Sequence, residues 1–214
     1  MDQTHSNGHR LAGLFLMLGA FALPFIIIDY ISIMAQLEPG AGMAERAALA
    51  RDNFDGLALG WRFEIIAMGL LAAGAIAMVP HGVGVAGWAL AAVGILITAP
   101  MYPIMLGGYK EVLFADPMRV EDFAMLRAIA NVLFYVGGLL YHTGFGIALI
   151  GEALFQKSTI WKLILGIGAV ANLIGAAGFG LAYGGMEAAF MVAGPLAILA
   201  FVIIGLKGAK LARG

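Results

Sequence analysis

The stretch RAIANVLFYVGGLLYHTGFGIALIGEALF, residues 127–155, decides the fold. Between Arg127 and Glu152 run 24 residues without a formal charge. About 20 apolar residues in a helix cover the ~30 Å hydrocarbon core of a bilayer. The polar residues within this stretch are ordered. Arg127, Asn131, Tyr135, Gly138 and His142 follow spacings of four, four, three and four, which places them in one sector of roughly 80° at about 100° per residue. A polar, small-residue stripe of this kind must face a bundle interior, because lipid cannot satisfy it. It predicts either one wall of a cavity or proton path, or a seam of interhelical hydrogen bonds.

Working outward, five more segments have the same character, giving spans of about 11–34, 61–79, 83–106, 128–155, 160–183 and 186–206. The whole chain agrees. Of its 214 residues 62% are hydrophobic and 12% charged, against about 25% charged in a typical soluble domain. That composition excludes a soluble enzyme, a disordered chain and a nucleic-acid binder. Twelve Lys+Arg against thirteen Asp+Glu leave no bulk basic field. Cysteine is absent, which removes disulfides, thiolate metal sites and thiol catalysis. The expectation is an all-α, six-transmembrane-helix bundle forming a single integral-membrane domain over 1–214.

The connections alternate. Residues 80–82, 156–159 and 184–185 are short, whereas 35–60 and 107–127 are long and charged. In the first long loop Met43, Ala47, Ala50 and Phe54 recur at helical spacing, predicting a short amphipathic helix. In the second, Asp116-Pro117 reads as an N-cap followed by proline at the first helical position. Two short amphipathic helices are therefore expected on the non-cytoplasmic face, as a lid over a cavity or as a shield for loop backbone. The run from Leu11 to Ile28 is a retained span rather than a signal peptide, with Pro24 interrupting its hydrogen-bond ladder. Arg10, Lys157, Lys162, Lys207, Lys210 and Arg213 fall on one face. Arg46, Arg51, Arg62, Lys110, Arg119 and Arg127 fall on the other, among ten acids. The basic cluster after the last span puts both termini in the cytoplasm.

Several sequence features carry a family resemblance. Arg10-Leu11-Ala12-Gly13-Leu14-Phe15 opens the first span, and Leu140-Tyr141-His142 is followed by Gly144 and Gly146. Lys162-Leu163-Ile164-Leu165-Gly166 opens the fifth, and Gly194-Pro195 with Ile204-Gly205-Leu206 marks the sixth. Together these resemble a bacterial family of small six-span integral-membrane proteins of unknown function. The resemblance implies a six-helix architecture in a bacterial inner membrane, and it brings no catalytic residue.

Ionisable groups inside spans are costly and are site candidates by default. Asp29, Arg62 and Glu64 form a candidate outer-face ionic cluster, with Tyr30 and Trp61 as interface anchors. The cluster would serve as an ion or proton site, a headgroup clamp or a structural ion pair. His142 is the only histidine inside a span, so bis-histidine haem ligation lacks its second ligand. His5, His9 and His81 have no fixed metal geometry, and no metal site is assigned. Gly-x-Ser-x-Gly, His-Glu-x-x-His and a mid-span lysine are all missing, so no catalytic residue and no cofactor is assigned. Small residues at Ala171, Gly175, Gly178 and Ala182 sit at helix-packing intervals.

His142 and Asn172 lie fifteen residues on either side of Lys157, the midpoint of a tight hairpin. Equal distance means equal depth, so the pair is expected to hydrogen-bond directly or through one water. The candidate polar-cavity residues are thus His142, Asn172, Tyr135, Asn131 and Arg127. The leading expectation is a non-enzymatic protein that binds, carries or senses a lipid-like or small hydrophobic molecule. One alternative is an ion- or proton-coupled transporter using Asp29, Glu64 and His142. Another is an intramembrane enzyme or an accessory subunit of a membrane complex. Expected partners are membrane lipids, a small hydrophobic ligand and a second copy or membrane-complex subunit, with no nucleic acid.

Overall fold

The computed structural model describes residues 3–38, 40–81 and 83–213. The chain folds into α1 (Gln3–Met34), α2 (Met43–Asp52), α3 (Phe54–Met78), α4 (Val85–Thr98), α5 (Met101–Pro103), α6 (Tyr109–Leu113), α7 (Val120–Phe155), α8 (Thr159–Tyr183) and α9 (Glu187–Ala212). A 3₁₀ turn over Val79–His81 ends α3, and a π turn over Ile104–Gly108 joins α5 to α6. No strand occurs among the described residues. Six of the helical segments are long and apolar enough to cross a membrane.

The boundaries shift where local chemistry overrides the hydropathy window. The third span continues past Leu106 to Leu113. Pro100 and Pro103 each lack an N–H, and the ladder resumes through the π turn. α3 starts at Phe54 rather than Trp61, because Phe54, Leu57, Ala58 and Trp61 all bury on one side. α7 begins at Val120 and not at Pro117, which lies in the preceding loop after a cis Asp116–Pro117 bond. Arg119 occupies the N-cap and its guanidinium bonds the Asp122 carboxylate. Glu121 and Asp122 in the first turn face the positive end of the helix dipole. α1 runs unbroken through Pro24.

The six spans form a ring in chain order. α3 packs on α1 and α4, α7 on α4 and α8, and α9 closes the ring against α8 and α1. Glycine makes two of these seams close. A Cβ at Gly94 would stand 2.3 Å from the Tyr141 backbone nitrogen across the α4–α7 seam. One at Gly13 would stand 2.6 Å from the Gly208 carbonyl across α1–α9. Backbones that close require no side chain at the contact.

One end of the bundle collects the start of α1, the α3–α4 turn, the end of α7, the start of α8 and the end of α9. His9 packs against His81 with ring centroids 3.6 Å apart and planes tilted by 55°, and Gly84 approaches the Ala148 backbone. Lys210 reaches Gln156 at 2.9 Å. This is the basic end, with Arg10, Lys157, Lys162, Lys207, Lys210 and Arg213. At the opposite end α2 packs on α3, α6 and α7, burying Ala47 and Ala50. Edge-to-face rings tie this cap down: Phe54 on Trp61, Trp61 on Tyr109 and Tyr109 on Phe123. Trp61 is thereby a buried packing residue and not an interface anchor, while Tyr30 remains exposed.

Candidate functional site

The α7–α8 seam brings His142 and Asn172 together. His142 Nδ1 and Asn172 Oδ1 are 2.8 Å apart, and both residues have 0% exposure. Asn172 Nδ2 donates to the Gly168 carbonyl one turn back, at 2.9 Å. That second bond orients the amide, so Oδ1 must be the acceptor and Nδ1 of His142 the donor. The imidazole is then the neutral Nδ1–H tautomer, the form suited to a site in hydrocarbon. Its other nitrogen, Nε2, is buried with no hydrogen-bond partner. The ring is boxed by Tyr141, Phe179 and Phe201, at centroid distances of 4.6, 5.3 and 5.4 Å. Gly175 completes the box, since a Cβ there would meet His142 Nδ1 at 3.3 Å.

The rest of the α7 stripe divides by depth. Tyr135 is half-buried and packs on Phe134 and Phe179. Arg127 and Asn131 line a pocket of about 230 Å³ whose far wall is Met43 and Arg46 of α2. At 1.5 Å per residue, the 25 residues from Arg127 to Glu152 span about 37 Å, beyond the hydrocarbon core. Arg127 therefore stands at headgroup level when Glu152 marks the other face.

Asp29, Arg62 and Glu64 do not form an ionic cluster. Ion pairs among the described residues join Arg51 to Asp52, Arg119 to Asp122 and Lys207 to Glu152. Arg62 and Glu64 are two residues apart on α3, hence about 200° apart around it. Arg62 and Asp29 are exposed, whereas Glu64 is half-buried. Glu64 lies near enough to act electrostatically on Tyr102 and Tyr141. The Tyr102 hydroxyl nevertheless makes no hydrogen bond of ordinary geometry.

The reading from sequence missed the pair Lys207–Glu152. Lys207 Nζ donates to Glu152 Oε2 at 2.6 Å, with exposures of 3% and 7%. Glu152 is the only acid in 128–155, a signal in itself, but its partner on α9 is set by ring closure. Lys210 extends the cluster, with its ammonium 4.3 Å from the Trp161 ring centroid. Beside it, a groove of about 470 Å³ runs between α8 and α9 on the outer surface of the ring. Its walls are Leu163, Gly166, Ile167, Val170, Ala171, Ile174, Leu196 and Leu199, and Lys162 stands at the basic end.

Fold and composition define a multi-pass helical membrane protein. No family model matches the chain, and neither a curated protein nor a solved structure does.

Proposed function

We propose that the chain is a non-enzymatic protein of a bacterial inner membrane, with both termini cytoplasmic, that binds a lipid-like molecule for carriage or sensing. The α8–α9 groove carries this reading. Its volume, about 470 Å³, falls in the range of small-molecule sites. Its walls are almost entirely aliphatic, which suits an acyl or isoprenoid chain. Lys162 at the basic end supplies a charge for an anionic headgroup, worth about 1 kcal/mol near a membrane surface. Glycines such as Gly13 and Gly94 bring neighbouring helices into contact, which favours a ligand on the lipid-facing side. The resemblance to small six-span bacterial proteins and the basic end together support the membrane and the orientation.

Native mass spectrometry in a gentle detergent tests the reading. The wild-type protein should retain a lipid, and Val170→Trp, which fills the groove, should lose it. A wild-type protein free of lipid, or equal retention by the variant, would refute it.

Two observations favour a second reading, proton-coupled transport. His142 Nε2 is buried and unpartnered, and Glu64 is a half-buried carboxylic residue within a spanning helix. Asp29, exposed on α1, drops out of that reading. Proton uptake in proteoliposomes, lost in Glu64→Gln, would favour it over lipid binding.

A further inference from the structure

We infer that the pocket between α2 and α7 binds a phosphate group through Arg46, Arg127 and Asn131. Two guanidiniums border one space of about 230 Å³, and neither belongs to an ion pair among the described residues. Three acids close to these arginines in sequence are committed elsewhere. Glu45 accepts from the Gly42 backbone N–H at 2.6 Å, closing its own helix start, and Asp52 and Asp122 pair with Arg51 and Arg119. Arg46 is held in place by its Nε, which donates to the Ala41 carbonyl at 3.1 Å. Among the described residues its terminal nitrogens make no hydrogen bond or ion pair.

Two like charges over one pocket repel unless an anion lies between them. Guanidinium forks bind phosphate or carboxylate in bidentate fashion. Two positive charges and an added amide donor match the charge and the several acceptor oxygens of a phosphate better than the single charge of a carboxylate.

Position narrows the source. Arg127 stands at headgroup level, and Ile129 and Val132, each 46% exposed, continue along α7 beside the pocket toward the hydrocarbon. Acyl chains of a bound phospholipid would lie along them. The shared chemistry is the phosphate, whether a lipid headgroup or the free ion. This site is at the opposite end of the bundle from Lys162 and does not depend on the α8–α9 groove.

Calorimetric titration of the full-length protein in detergent, with dihexanoyl phosphatidic acid and separately with inorganic phosphate, tests the inference. Saturable binding is expected, weakened about tenfold or more in Arg127→Gln and in Arg46→Gln, as for loss of a charge-assisted bond. It should be unchanged in Lys157→Gln, an exposed lysine at the basic end that lines neither the pocket nor the α8–α9 groove. Should either glutamine variant misfold, Asn131→Asp places a carboxylate against the same pocket and should abolish binding. Preference for phosphatidic acid identifies a lipid headgroup, and equal binding of both probes identifies the free ion. Absence of saturable binding by either probe, or wild-type affinity in all three pocket variants, would overturn the inference.

Discussion

His142 Nδ1 lies 2.8 Å from Asn172 Oδ1 across the seam between α7 and α8, and both side chains are sealed from solvent. The bond explains how an imidazole is tolerated in the apolar heart of the ring. Its stabilising value is modest, but leaving one partner alone is expensive. Asn172→Leu should therefore cost about 1–3 kcal/mol, while His142→Phe combined with Asn172→Leu should cost much less than the sum. Reversible unfolding of the single and double variants in micelles measures this. Strictly additive losses would mean the two groups do not interact.

The Lys207–Glu152 pair obeys the same asymmetry at higher stakes. Glu152→Gln strands a buried ammonium and should cost about 3–5 kcal/mol. Replacing both by methionine removes both charges together and should recover most of the loss. A double variant as unstable as Glu152→Gln would show that the pair supplies net stability of its own.

Helix contact through glycine gives a position-specific prediction. Gly94→Ala forces α4 away from the Tyr141 backbone and should cost about 1–3 kcal/mol, as overpacking does. Gly69→Ala on α3 meets nothing within 4 Å and should be neutral or slightly stabilising. Thermal midpoints of the two variants would distinguish them.

The proposed orientation is tested by topology reporters. A periplasm-active enzyme fused after Gly214 should be silent, and one inserted near Gly40 should be active. The reverse pattern would place the basic end outside.

Span number, α2 and the His142–Asn172 contact were legible because each depends on local period or hairpin symmetry. Arg127 and Asn131 were legible as polar positions on α7, but their partner Arg46 comes from a loop helix whose docking no period encodes. The Asp29–Arg62–Glu64 grouping failed because similar depth was taken for proximity, whereas Arg62 and Glu64 point to different sides of α3. Lys207–Glu152 was hidden because α9 returns to α1 and α8 only when the ring closes. The glycines are legible as packing residues, yet which seam each one closes, such as Gly94 against Tyr141 of α7, depends on how the helices meet.

The central claim, a lipid held between α8 and α9, is tested most directly by photo-crosslinking in native membranes. A diazirine analogue of leucine placed at Leu199 lies in the groove, and one at Leu96 lies on the exposed face of α4. Both keep the wild-type shape. Adducts at Leu199 should be dominated by one lipid class while those at Leu96 mirror the bulk membrane. The same lipid distribution at both positions would contradict a selective groove.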